Sequence, residues 1–122
     1  MNRTVLIVDD HPINLKLLVF ALKSRGYTIE TASDAVQARA VLETVKPALI
    51  LMDLQMPGVS GFELTRELKL SPVTQDIPIV AVTAFAMRGD EERARAAGCD
   101  GYLTKPVDLQ ALRALVQQLI GE

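Results

Sequence analysis

The sequence predicts an α/β domain, a parallel sheet covered by helices on both faces, and three observations carry that prediction. Short β-branched apolar runs recur between longer segments of helical spacing. Three of those runs are apolar almost throughout, the mark of strands buried on both faces. The runs also end on polar or charged residues, which a sheet edge open to ligands requires.

Taken in order, strands are expected at Val5–Val8, Tyr27–Thr31, Ala48–Met52 and Ile77–Val82, with a weaker one at Gly101–Leu103. Leu15, Leu18 and Leu22 form an apolar stripe on the first helix, and Leu109, Leu112, Val116 and Leu119 form one on the last. Asp34 with Gln37 and Ser60 with Glu63 have capping-box spacing, while Gly26 and Gly98 stand where helices need a left-handed stop. Pro47 and Pro78 fall just before or at the start of strands, where a missing amide does least harm. Between Arg88 and Gly98 the charges leave only alanines and Met87 for a buried face, so this helix should dock weakly. Its acidic-first, basic-last order and the Glu91–Arg95 spacing favour a helix all the same.

At 122 residues the chain has room for one hydrophobic core, so residues 1–122 are expected to form a single domain. Its 49% hydrophobic and 23% charged residues are those of an ordinary globular protein. A net charge of −2 leaves no surplus to grip a phosphate backbone, so direct nucleic-acid binding is not expected. Cys99 is alone and cannot form an internal disulfide. With no export signal and no apolar run near the ~20 residues that span a bilayer, a cytoplasmic protein without membrane insertion is expected.

The chemistry lies at the ends of the apolar runs. Asp9 and Asp10 end the first, Asp53 the third and Thr83 the fourth, and Lys105-Pro106 follows the fifth. Carboxylates crowded at one sheet edge repel unless a cation compensates them, and a hard divalent ion such as Mg²⁺ is the natural partner. Asp9 or Asp10 with Asp53 supplies carboxylate oxygens, and the main-chain carbonyl of Gln55 is placed to reach the same ion. Among these carboxylates Asp53 alone is flanked by apolar residues on both sides, Met52 and Leu54, which makes it the candidate nucleophile toward phosphorus. Lys105 would then neutralise phosphoryl charge and Thr83 donate a hydroxyl, with Lys105-Pro106 a candidate cis peptide that turns the lysine inward. Without that set, Asp9-Asp10 would read as a helix N-cap before Pro12 and His11 as a solvated loop imidazole, since Mg²⁺ prefers oxygen.

Asp9-Asp10, Asp53 followed by Met56-Pro57-Gly58, Thr83-Ala84 and Lys105-Pro106 together resemble the pattern of response-regulator receiver domains across essentially the whole chain. The stretch Ala81–Met87 and Gly89-Asp90-Glu91-Glu92 look closest to the stand-alone, DivK-like receivers. The resemblance implies a flavodoxin-like (βα)5 doubly wound parallel sheet of five strands in the order 2-1-3-4-5. It implies that a histidine kinase or histidine phosphotransfer domain phosphorylates Asp53 with Mg²⁺ as cofactor, Mn²⁺ being a substitute of the same chemistry. By the same resemblance Thr83 matches the switch hydroxyl and Lys105 the phosphate-binding lysine. Tyr102, which base rates alone would make a packing residue, matches the rotating aromatic. The readout would be a shift of the face built from the fourth helix, fifth strand and fifth helix, felt by a downstream protein target. Either a monomer or a weak homodimer is compatible with that face. By the same resemblance Gln55 and Phe85 flank the phosphoryl group, and a bulky Phe85 is expected to shield it from water.

Two other functions are weighed against this one. A Mg²⁺-dependent phosphohydrolase with an aspartyl-phosphate intermediate would carry a second acid two residues after the nucleophile, where Gln55 cannot donate a carboxylic proton. A nucleotide- or flavin-binding module would need a glycine-rich loop after the first strand, where Asp9-Asp10-His11-Pro12 places two negative charges instead. The expected protein is a phosphoacceptor signalling module and not an enzyme acting on an external substrate.

Overall fold

The computed structural model describes residues 2–84 and 89–121. Along them, strands and helices alternate: β1 (Thr4–Val8), α1 (Pro12–Lys23), β2 (Thr28–Ala32), α2 (Ala35–Thr44), β3 (Leu49–Asp53), α3 (Gly61–Leu70), β4 (Ile79–Thr83), α4 (Asp90–Ala97), β5 (Gly101–Thr104) and α5 (Leu109–Ile120). All strand pairs are parallel, in the order β2-β1-β3-β4-β5, so the flavodoxin-like doubly wound topology is present.

The side-chain period of two sorts the strands' residues onto two cores. Leu6, Val8, Ile50, Met52, Ile79 and Ala81 face Ala35 and Ala38 of α2, Leu64 and Leu68 of α3 and Ala94 of α4. Val5, Ile7, Leu49, Leu51, Val80 and Val82 face Leu18, Ala21 and Leu22 of α1 and Leu112 and Val116 of α5. Every residue of β3 and β4 is buried, as central strands between two helical layers must be. Each large side chain enclosed this way contributes about 1.5–3 kcal/mol before entropy is charged against it.

Several expected boundaries shift for one reason. Tyr27, Ala48 and Ile77 stand before the ladders begin, although Tyr27 and Ile77 are buried, because an apolar run marks burial and not strand pairing. At the other end the strands run on through Ala32, Asp53, Thr83 and Thr104, since parallel neighbours keep accepting their amides whatever the side chain. Asp34 accepts the Gln37 amide at 2.8 Å, but the Gln37 carboxamide oxygen returns to the Ser33 amide and not to that of Asp34 itself. Gly98 closes α4 at φ +116°, a conformation only glycine adopts cheaply. The α4 helix buries only Ala94 and Ala97, and Glu91 pairs with Arg95 at 3.2 Å. Phe85 and Met87 lie outside the described residues.

The N-terminus of α5 is held by Asp108, whose carboxylate accepts the amides of Gln110 at 2.9 Å and Ala111 at 3.3 Å. Asp108→Ala removes this cap and is expected to cost about 1 kcal/mol, read as a lower urea midpoint at unchanged slope. An unchanged midpoint would show that α5 is fixed by packing alone.

Candidate functional site

The loops beyond the carboxyl ends of the central strands converge on one acidic hollow. Asp53 closes β3, and Asp9 directly follows β1, whose Val8 lies beside Met52 of β3. Both continue the alternation of Ile7 and Leu51, so both carboxylates emerge on the α1 and α5 side. Lys105 continues β5 on the same side after Leu103, and its amide donates to the Thr83 carbonyl at 2.8 Å, tying the end of β5 to the end of β4. The Lys105–Pro106 peptide is cis. Thr83 closes β4, 1% exposed, and follows Ala81 on the opposite face.

Asp9 and Asp53 are each only 1% exposed, which makes their charges expensive unless partnered. Lys105 Nζ supplies that partner, 3.3 Å from Asp9 Oδ2 and 3.3 Å from Asp53 Oδ2. Asp53 Oδ1 accepts the Gln55 amide at 2.9 Å. Burial above all, and then the charge of Asp9, hold the Asp53 carboxyl above its usual range, against the Gln55 amide and Lys105. Asp9 goes the other way: burial raises it, but the His11 amide, the Asn14 carboxamide and Lys105 together outweigh burial and hold it below. The two carboxylates differ because Asp9 has more donors. Asp10 is half-buried, and its enclosed Oδ1 has no hydrogen bond among the described residues, although His11 Nδ1 lies 3.2 Å away.

Of the residues singled out from sequence, Asp9, Asp10, Asp53 and Lys105 lie together. Gln55 lines the adjoining cleft of about 420 Å³ with His11, Ile13, Asn14, Leu17, Ala84 and Lys105, and reaches Asp53 through its amide. Tyr102 stands apart on β5, half-buried against the α2–α4 core. Its hydroxyl is pushed up by burial and then by the carboxylates of Asp90 and Glu91, which places it toward α4. Phe85, expected beside the phosphoryl position, is outside the described residues.

Two partners were not legible as such. Asn14, in the first turn of α1, donates from Nδ2 to Asp9 Oδ2. His11 is exposed, as expected of a loop residue, yet its Nδ1 stands 3.3 Å from Asp9 Oδ1 and 3.6 Å from Asp53 Oδ2. Neither Asp9 nor Asp10 caps α1: His11 occupies the N-cap position, and Asp9 accepts the His11 amide at 2.8 Å. Pro12 at the start of α1 was the available signal, since it fixes where the helix begins and therefore which side Asn14 presents. A larger apolar groove of about 590 Å³ between α1 and β2 carries no carboxylate or hydroxyl cluster, so the site is placed by chemistry and not by volume.

Residues 5–117 match the response regulator receiver domain family. The chain belongs to that family. Over 122 residues this receiver is 42% identical to the polar-differentiation response regulator DivK of Brucella ovis and 38% identical to that of Brucella anthropi, covering 100% of this chain and 99% of either relative. Its fold superposes with a TM-score of 0.90, at 34% identity and over all of both chains, on the receiver domain of a sensor histidine kinase from Pseudomonas aeruginosa. A magnesium ion is coordinated in the active-site cleft of that protein. A response regulator of Chloroflexus aurantiacus matches with a TM-score of 0.93 at 27% identity over both full chains. Among the described residues of this receiver, no helix is long and apolar enough to cross a membrane.

The donor set of the receiver suits a hard divalent cation. Asp9, Asp10 and Asp53 bring carboxylate oxygens to one place, and Asp10 Oδ1 is a buried acceptor with no hydrogen bond among the described residues.

Proposed function

We propose that this receiver accepts a phosphoryl group on Asp53 from a phosphohistidine of a histidine kinase or histidine phosphotransfer domain, in a Mg²⁺-dependent reaction. One observation carries the reading: the buried Asp53 carboxylate is met at 3.3 Å by an ammonium that also meets Asp9. A buried carboxylate whose ionised form is disfavoured is a more reactive nucleophile than one sated by hydrogen bonds. An Asp53 oxygen forms the new bond to phosphorus, the phosphorus–nitrogen bond of the donor breaks, and the imidazole leaves with the electron pair. Lys105 stays beside the added charge as a point cation. Asp9, Asp10, Asp53 and the Gln55 main-chain carbonyl would hold the ion, which when bound neutralises charge on the phosphoryl oxygens.

The donor needs access, and the cleft beside the acids is bordered by Ile13 and Leu17 of α1, 84% and 43% exposed. That apolar ledge next to a phosphoacceptor suits a partner helix carrying the phosphohistidine. The output face of α4, β5 and α5 would respond through Thr83 and Tyr102. The α4 helix carries five charged residues and buries only Ala94 and Ala97, a sparse anchor that makes it cheap to move.

Incubation with acetyl phosphate and Mg²⁺ tests this reading by intact mass. One phosphoryl group is expected with metal and none with chelator. No adduct under either condition, with faster phosphodonors also tried, would leave a phosphorylation-independent binding module.

A further inference from the structure

We infer that a hollow walled by Arg3, Arg25 and Arg113, between the start of β1, the α1–β2 turn and α5, binds a small dianion of the phosphate class. Tyr27 and Gln117 complete its lining, and its volume is about 120 Å³. It lies at the opposite sheet edge from the acidic centre. Arg3 precedes β1 and Asp9 follows it, so roughly 20 Å of strand separates the two.

Gathering guanidiniums at one place is unexpected in a chain of net charge −2, which has acids to spare. Elsewhere on the surface cations find carboxylates: Arg39 meets Glu67, Lys46 meets Asp76, Lys69 meets Asp100 and Arg95 meets Glu91. Among the described residues, Arg25 and Arg113 take part in no ion pair. The groups that position this cluster are neutral. Arg113 donates from Nε to the Ala21 carbonyl at 3.2 Å and from Nη2 to the Ser24 hydroxyl at 3.3 Å. Arg3 donates from Nη2 to the Arg25 carbonyl at 2.8 Å, with its guanidinium carbon 4.4 Å from the centre of the Tyr27 ring. Ala21 and Ser24 belong to the C-terminal end of α1, whose dipole is worth about half a negative charge. Half a charge orients a guanidinium but leaves the two full charges of Arg25 and Arg113 largely uncompensated.

The shape and charge of the hollow select the anion. A guanidinium presents five N–H donors in a fork that matches carboxylate and phosphate oxygens. Arg113 spends its Nε and one Nη2 proton on the fold, so its Nη1 edge remains for a ligand. A carboxylate brings one charge and two oxygens to such a site. A phosphate group brings close to two charges and at least three acceptor oxygens, enough to serve arginines from three segments at once. At about 30 Å³ per water the hollow has room for roughly four, which suits one tetrahedral oxyanion and excludes a base or sugar. A phosphomonoester would seat its phosphoryl head there and leave the ester group in solvent.

Inorganic phosphate titrated into the full chain, in chelator and with chloride holding the ionic strength constant, is expected to give saturable shifts of the Arg25, Gly26 and Gln117 amides in ¹H–¹⁵N spectra. The amides of Asp9 and Asp53 should stay in place, since metal-free carboxylates repel phosphate. Phenyl phosphate separates the sources: the same shifts extend the site to phosphoryl groups carried by small molecules, and their absence assigns it to the free ion. Arg113→Gln is expected to weaken phosphate binding about tenfold, the worth of one hydrogen bond to a charged group. Arg25 is exposed and its side chain makes no hydrogen bond among the described residues, so Arg25→Gln tests the site without disturbing α5 and should weaken binding severalfold. Shifts that never saturate, that acetate reproduces at equal concentration, or that keep the same midpoint in both variants would overturn the inference. None of these outcomes depends on whether Asp53 accepts a phosphoryl group.

Discussion

Asp53→Asn is expected to abolish the phosphoryl adduct while leaving a folded and more stable protein. Asparagine keeps the shape of the side chain and its carbonyl can still accept the Gln55 amide, but a carboxamide offers no anionic oxygen to phosphorus. The gain in stability follows from the sign of the Asp53 shift. Its carboxyl is held above the ordinary value of 3.8, first by burial and then by Asp9, so the folded state resists ionising it. A carboxyl whose folded pKa exceeds its unfolded one takes stability away as pH rises from about the unfolded value through the folded one. Near neutrality the wild type therefore carries a cost that Asp53→Asn does not. Thermal melts in chelator at pH 7 should place the variant a few degrees higher. That advantage should shrink as pH falls through the raised folded value toward 3.8 and be gone well below 3.8, where the wild-type carboxyl is protonated in both states. An adduct persisting on Asp53→Asn would assign the phosphoryl group to another residue, and a lower melting temperature would mean that the carboxylate stabilises the fold.

Gly61→Ala is expected to be the most damaging single methyl in the described structure. Gly61 opens α3 and its amide donates to the Leu54 carbonyl at 3.3 Å, so the helix starts directly against the backbone that carries Asp53. A Cβ at Gly61 would fall 2.2 Å from the Asp53 carbonyl oxygen and 2.7 Å from Leu54 Cα. Both obstacles are main chain within or beside a buried strand, and neither can rotate away. Overpacking commonly costs about 1–3 kcal/mol, and contact with rigid backbone puts this case at or above the upper end. Because the displaced atoms belong to Asp53, the rate of phosphoryl acceptance should fall as well. Gly58→Ala provides the contrast: a Cβ there meets nothing within 4 Å, and only its φ of +77° is strained, for about 1 kcal/mol. Urea titrations compare the two. Equal losses would show that backbone conformation, and not contact with the phosphoacceptor strand, governs Gly61.

Much of the site was legible because it is written in residues whose positions the fold class fixes. Once Leu49–Met52 and Val5–Val8 are read as neighbouring buried strands, the acids that follow them must emerge at one sheet edge, and they do. The spacing could not say how each acid is satisfied. Asp9 gathers the His11 amide, Asn14 and Lys105, while Asp10 Oδ1, one residue on, has no hydrogen bond among the described residues. Nor could it distinguish a buried residue that pairs in a sheet from one that only fills space, as Tyr27 shows beneath the Arg3 guanidinium, 4.4 Å from its ring centre.

Fold class, family and the set of chemical groups at the strand ends were all readable along the chain. Hydrophobic period and polar termination are local properties, and they survive in a string of letters. Relations between groups held by different elements came into view only with the packed fold. These are the Lys105 ammonium shared between Asp9 and Asp53, the imidazole of His11 set over three carboxylates, and the glycine demanded at Gly61 by the Asp53 backbone. Each depends on how two or more elements pack to within an ångström, and on desolvation that exists only once both helical layers have closed over the sheet.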